Sequence, residues 1–281
     1  MLFVVEARIR PKGLYSLRLT ARTETWSARL PDERWAEAWQ LHDGSVVVRA
    51  SCERAIEDTR FLLALDDDTS EFHRLFARDP LLGPSVRALR GLRPTRTSTV
   101  AHAALRAICG QLIQSSRARE IERSVMGAAG ENPPSREALA RLSPAALTGC
   151  GLATSRAATL ARLVRTIDLE SLKGKPPATA LARLHRERGI GPWSVGVIAL
   201  QGLGRYDTGL VDDLGLVKLF ASLRRRWPEQ PVETAELVAP YGEWQGLASV
   251  FLLAGFARGL VPGASADRAR LVRRTAHRRA A

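Results

Sequence analysis

The sequence predicts an α+β fold, mainly α, in which a small N-terminal antiparallel β-sheet precedes an all-helical region. Three observations carry that expectation. Apolar and polar residues alternate with period two over residues 1 to about 50, the spacing becomes helical from Glu53, and short, strongly punctuated helices run from Thr97 to about Arg258 without a strand pattern between them. The division expected is 1–85 for the sheet and its helices, 86–264 for the helical region with its cleft, and 265–281 for a basic tail.

The elements follow in order. The chain from Met1 to Gly13 alternates like a strand. Tyr15, Leu17 and Leu19 share one face, as do Trp26, Ala28 and Leu30, and then Val46, Val48 and Ala50, with turns at Pro11-Lys12-Gly13 and Asp43-Gly44. Beyond Glu53 the helical spacing is broken by Asp66-Asp67-Asp68, read as a solvated turn, and by Asp79-Pro80, read as a turn and cap. Ser98 is placed to cap a helix on which Ala101, Leu105, Ile108 and Leu112 form one face. Ser143, with Pro144 in the first turn, opens another. Thr154 or Ser155 caps a third, whose Leu160, Leu163, Val164 and Ile167 fall at i, i+3, i+4 and i+7. Ser265 to Ala281, rich in Arg and poor in apolar residues, fits a frayed helix or a mobile basic tail.

Composition narrows the function classes. A formal charge of +13 points to a polyanionic partner, because Arg clustered on a folded surface releases counterions from a phosphate backbone. Cys52, Cys109 and Cys150 are odd in number and lack a C-x-x-C pair, which argues against a disulfide framework and fits a reducing, cytoplasmic setting. Glu6 and Arg8 interrupt the N-terminal apolar run too soon for a signal peptide. The stretch Leu247 to Phe256 is too short to cross a bilayer, so no membrane partner is expected.

The chemistry is concentrated between Leu181 and Phe220. A helix leads into the tight turn Gly189-Ile190-Gly191, and a second helix opens at Pro192, aiming its free N–H groups and the positive end of its dipole beyond the turn, where a DNA phosphate is the natural occupant. Twenty residues after Trp193 comes Asp213, within Val211-Asp212-Asp213-Leu214 at the start of another amphipathic helix. By itself an Asp at a helix start reads as a cap. The combination resembles the helix-hairpin-helix DNA glycosylases, which share a G-[IV]-G-x-x hairpin followed at this spacing by an essential Asp, and within them 3-methyladenine DNA glycosylase II. Ile198-Ala199-Leu200, Asp212-Asp213 through Lys218, Ala107-Ile108-Cys109-Gly110-Gln111-Leu112, Asp79-Pro80-Leu81-Leu82-Gly83 and Leu147 to Arg162 match further family segments, so the resemblance spans roughly 80 to 260.

The resemblance implies a monomeric enzyme that needs no cofactor and acts on double-stranded DNA containing a damaged base. Breaking an N-glycosidic bond builds positive charge on the sugar, so a carboxylate beside C1′ stabilises the transition state and can orient the attacking water. Asp213 takes that role, with Asp212 expected to cap the following helix and Asp207 to serve a turn. Two-function relatives carry a nucleophilic Lys where this chain has Trp193, so hydrolysis without strand cleavage is expected. The iron–sulfur cluster of some relatives needs four closely spaced cysteines, and none follows Cys150. Leu112 matches the intercalating Leu that fills the hole left by a flipped base, although it also fits an ordinary core position. Gln111, Gly189, Ile190, Gly191, Pro192 and Ser194 complete the expected DNA contacts. No metal is held by side chains, while the hairpin backbone at His185, Glu187 and Ile190 could take a monovalent cation.

The pocket departs from the family pattern. Where the best-known relative has aromatic rings, this chain has Val197, Leu214 and Leu253, leaving Trp193 as the surest ring. Cation–π attraction for alkylated, positively charged purines is thereby reduced, unless Trp26, Trp244 or Phe251 enters from elsewhere, and neutral lesions such as hypoxanthine or ethenoadenine join 3-methyladenine and 7-methylguanine as candidates. Arg188, where the close relative has Pro, could add a phosphate contact. Two other readings stand beside the main one: a non-catalytic DNA-binding protein, and a lyase acting through another amine such as Lys218 or the N-terminus.

Overall fold

A computed structural model describes residues 4–111 and 113–280. Four strands, β1 (Val5–Ile9), β2 (Thr25–Arg29), β3 (Trp35–Gln40) and β4 (Val46–Ala50), form one antiparallel sheet in the order β1-β4-β3-β2. Register pairs Ala38 with Val48 and Ala36 with Ala50, so the small and branched residues of the central strands lie on one face. That face is closed by α2 (Glu53–Leu62), whose Ala55, Ile56, Thr59 and Leu62 are buried against it.

Two expectations fail here. Tyr15, Leu17 and Leu19 do not lie on a strand: Leu17–Ala21 is a helical turn, α1, because the Ser16 hydroxyl accepts from Leu19 N at 3.3 Å and captures the first turn. β3 was not anticipated, since its alternation of Trp and Ala hides the period that β-branched residues make plain.

The remaining helices are α3 (Ser70–Phe76), α4 (Gly83–Ala88), α5 (Val100–Gly110), α6 (Ser115–Ala129), α7 (Arg136–Arg141), α8 (Pro144–Gly149), α9 (Thr154–Thr166), α10 (Pro177–His185), α11 (Pro192–Val197), α12 (Leu214–Arg224), α13 (Gln245–Ala257) and α14 (Ala266–Ala280). A single π-helical turn, Ile198–Gly202, continues α11. Together they surround a second, larger core running from Phe72 to Val261. No helix among the described residues is long and apolar enough to cross a membrane.

Helix α5 is the axis of this core, with nine of its eleven residues buried. Its N-cap is Thr99, not Ser98: the Thr99 hydroxyl accepts from His102 N at 3.0 Å, and the Glu170 carboxylate reaches across to Val100 N and Ala101 N at 2.7 and 3.1 Å. The polar side chains on α5 are matched rather than exposed. Glu122 of α6 takes His102 Nε2 at 2.7 Å and Arg106 Nε at 3.0 Å on one oxygen. Burial pushes the Cys109 thiol up to about 12, so it behaves as a small apolar residue. Ser143 caps α8 as expected, whereas α9 begins at Thr154 after Ala153 and neither Thr154 nor Ser155 caps it by its side chain. Segment 266–280 is helical, and Arg268 reaches Gly263 O at 2.5 Å.

The two cores are joined by buried arginines. Arg93, 1% exposed, donates to Ala64 O, Lys12 O and Leu14 O, and Arg96 pairs with Asp67 and reaches Gly204 O at 3.2 Å. Asp66-Asp67-Asp68 is therefore more than a solvated turn. Asp66 pairs with Arg60, Asp68 accepts from Ser70 N, and Asp67 turns inward to Arg96 and the Tyr206 hydroxyl.

Candidate active site

The hairpin forms where α10 ends. Ile190 N donates to Glu187 O at 3.0 Å, and Gly189 has φ +85°, a left-handed conformation that L side chains rarely adopt. A Cβ there would also lie 2.5 Å from the Thr159 hydroxyl of α9, so glycine is required twice over. Ile190 is 4% exposed and roots the turn in the core. Gly191 is the N-cap of α11 with Pro192 in the first turn, and among the described residues no side chain caps that helix start by a hydrogen bond. Arg186 and Arg188 are exposed beside it, while Glu187 is drawn into ion pairs with Arg183 and Arg162.

Helix α11 places Trp193 next to Asp213. The indole Nε1 donates to Asp213 Oδ2 at 3.0 Å, and Gly215 N donates to Asp213 Oδ1 at 2.7 Å. Both carboxylate oxygens are thus oriented by one donor each and keep further lone pairs for other partners. Asp213 is the N-cap of α12, so its charge sits at the positive end of an 11-residue helix. The expected roles of the two aspartates as caps are reversed in this respect. Asp212 does not cap: it has φ +72°, its N–H donates to Thr234 Oγ1 at 2.9 Å, and its Oδ1 is buried without a partner. Desolvation pushes the Asp212 carboxyl above the usual range. Asp207 forms a two-bond ion pair with Arg205 in the preceding turn.

Other sequence-predicted residues fall around this pair. Leu214 is 37% exposed at the first position of α12, and Leu253 of α13 packs on Gly215 next to the carboxylate. Val197, four residues after Trp193 on the same helical face, is buried. Ser194 is 1% exposed, and its hydroxyl is engaged by the protein itself: Gln111 Nε2 donates to Ser194 Oγ and to Gly189 O, both at 2.9 Å. The amide nitrogen of Gln111 is therefore committed to holding the hairpin. Leu112 lies outside the described residues. His185 is exposed at the end of α10, and among the described residues no group of three His, Cys, Asp or Glu is gathered to hold a metal.

The further aromatics lie elsewhere. Phe251 is fully buried against Phe72 and His73, Trp244 stacks on Tyr206 with ring centroids 5.9 Å apart, and Trp26 packs on the N-terminal core. A depression of about 430 Å³ lined by Glu57, Arg60, Phe61, Asp66, Asp67 and Arg96 shares no residue with the Asp213 group. What sequence reasoning missed is the part played by Gly110, read there only within a matched family segment: the Trp193 ring rests against it. Glycine at the last position of a helix reads as a terminator, and its partner is 83 residues away.

No protein-family model matches the chain. It is 27% identical to the DNA-3-methyladenine glycosylase of Bacillus subtilis over 230 residues, 75% of each protein. The 3-methyladenine DNA-glycosylase from Archaeoglobus fulgidus superimposes with a TM-score of 0.74 at 19% identity, over 90% of this chain and 98% of that one. Clostridium acetobutylicum 8-oxoguanine glycosylase/lyase, bound to DNA containing cytosine opposite 8-oxoguanine, does so at 0.69 and 17%, over 93% and 100%. With the hairpin and the carboxylate at its spacing, these relatives make the chain similar to the helix-hairpin-helix DNA glycosylases, 3-methyladenine glycosylases among them.

Proposed function

We propose that the chain, as a DNA glycosylase, works by hydrolysis alone: it everts a damaged purine from duplex DNA and uses Asp213 to break the N-glycosidic bond, leaving an abasic site. One observation supports this above the rest. Asp213 lies at a helix N-terminus, hydrogen-bonded to the indole that follows the hairpin, so whatever DNA strand the hairpin grips is presented to that carboxylate.

Each step has a residue. The uncapped start of α11, with Arg186 and Arg188, binds phosphates, and Leu112 fills the vacated place in the stack. As the bond from C1′ to the base breaks, its electron pair leaves with the base and the sugar becomes oxocarbenium-like. The Asp213 carboxylate stabilises that charge and takes a proton from the water that adds at C1′. Trp193 stands where a lyase has its lysine, and an indole cannot form the Schiff base that leads to strand cleavage. Trp193, Val197, Leu214 and Leu253 line the base site. With three aliphatic walls it favours neutral or weakly charged modified purines over strongly cationic ones.

One copy of the chain suffices for this work, since every group invoked lies within residues 86–264. Residues 1–85 and 265–281 flank that region. The test is abasic-site yield from duplexes carrying single lesions, with and without alkali, for wild type and Asp213→Asn. Wild type releases base at least a hundredfold faster than the variant, and strands break only after alkali. Equal release by the two proteins removes Asp213 from its role, and nicking without alkali replaces hydrolysis by lyase chemistry.

A further inference from the structure

We infer that Gly110 is a positioning residue for the reaction: by having no side chain at the end of α5, it lets Trp193 reach Asp213 and so sets the angle of the carboxylate. The inference rests on the glycosylase reading for its consequence, and on geometry for its cause.

Gly110 is a helical residue of α5 and is not among the left-handed positions, so its backbone suits alanine, which is the better helix former. What excludes a side chain is the indole. A Cβ at Gly110 would lie 2.6 Å from Trp193 Cη2 and 3.4 and 3.5 Å from the two neighbouring ring carbons. The indole is rigid and cannot fold its tip away. Relieving the contact to an ordinary separation moves the whole ring by about 1 Å, against a hydrogen bond of 3.0 Å from its Nε1 to Asp213 Oδ2. The next residue, Gln111, donates from Nε2 to both Gly189 O and Ser194 Oγ at 2.9 Å and ties the hairpin to the end of α5, so the hairpin cannot simply follow the displaced ring. The end of α5 thus holds Trp193 from two directions.

The experiment compares wild type, Gly110→Ala, Trp193→Phe and the double variant. Phenylalanine lacks both the N–H donor and the benzo tip that an alanine at 110 would strike. Single-turnover release of methylpurines from dimethyl-sulfate-treated duplex DNA should fall about tenfold or more in Gly110→Ala and in Trp193→Phe, with less than a twofold further loss on combining them. Binding to a duplex carrying a tetrahydrofuran abasic analogue should stay within about threefold in all four proteins. Independently of activity, the Trp193 indole N–H resonance, assigned by its loss in Trp193→Phe, should move upfield in Gly110→Ala, the direction expected when a hydrogen bond to the carboxylate lengthens. An unmoved resonance, a Gly110→Ala rate within twofold of wild type, fully additive losses, or a fall in binding parallel to the fall in rate would each overturn the inference. If wild type releases no more base than Asp213→Asn, it is the glycosylase reading that fails, and the resonance still decides whether Gly110 controls the indole.

Discussion

Two neighbouring regions of the molecule use their side chains in opposite ways. In the proposed base site the walls are Val197, Leu214 and Leu253 with the ring of Trp193, while Phe72, His73, Phe76, Tyr206, Tyr241, Trp244 and Phe251 form a continuous set of ring contacts elsewhere. Rings of the second set are anchored: Tyr206 donates to Asp67, and Tyr241 donates to Asp79 at 3.2 Å. Aromatic surface supplies packing area wherever it lies, but attraction for a cation only where a cation can reach it. In this chain the connected rings lie in and against the larger core, with Tyr206 tying them to Asp67 at the joint, and the proposed base site is left with shape rather than charge as its means of selection.

The largest effect on base release that would sharpen the contrast is a ring returned to the site. Leu214→Tyr puts an aromatic face at a position that is 37% exposed beside Asp213, without disturbing the buried Val197. Release of 7-methylguanine, a cation, should rise about fivefold relative to release of neutral hypoxanthine, the equivalent of about 1 kcal/mol of cation–π attraction. Competition between the two lesions in duplex oligonucleotides measures the ratio. An unchanged ratio would mean that Leu214 does not face the base, and that the division between an aliphatic site and an aromatic cluster has no catalytic meaning.

An effect on stability rather than on base release is expected at the joint itself. Burial, and then the Asp67 charge, raise the Tyr206 hydroxyl beyond its ordinary range, which favours the protonated form that donates to Asp67. Tyr206→Phe keeps the stacking on Trp244 and removes the bond to Asp67, which Arg96 still pairs. A loss of about 1–2 kcal/mol in urea unfolding is the expected outcome, with kcat for base release unchanged at a temperature where both proteins are folded. A fall in kcat at full stability would turn the joint from packing into part of the machinery that places the 203–213 loop.

The same contrast explains how much was legible beforehand. The hairpin could be read because Gly189, Ile190 and Gly191 are consecutive, and Asp213 because its distance from them along the chain matches a family pattern. Helix faces such as Leu160, Leu163 and Val164 follow from spacing alone, and all three are buried. What escaped depends on partners far apart in sequence. Ser98 and Thr99 are equally good caps by type, and Glu170, 70 residues on, decides between α5 starts. Asp66-Asp67-Asp68 looks uniform until Arg60, Arg96 and Tyr206 arrive from three directions. Gln111 was read as facing DNA, and its amide is instead occupied by Gly189 and Ser194, about 80 residues away.

The smallest expected effect separates the adjacent aspartates. Asp213 has a donor on each oxygen, whereas Asp212 keeps Oδ1 buried with none, in a left-handed backbone that Asn also tolerates. Desolvation raises the folded-state value of Asp212 above its ordinary 3.8, so between 3.8 and that raised value the native protein binds more protons than the unfolded chain. Stability contributed by the neutral form is present below the raised value and is lost as pH rises through it. Asp212→Asn removes the ionisation without straining the backbone, so wild type should lose stability relative to the variant as pH climbs from about 4, with the gap becoming constant at higher pH. Because part of the side chain remains open to solvent, the plateau should be under about 1 kcal/mol. Urea midpoints of both proteins measured from pH 4 to 8 give the curve. A gap that opened as pH fell instead would mean that the Asp212 carboxylate is stabilised in the fold by a partner, and the two aspartates would then be alike.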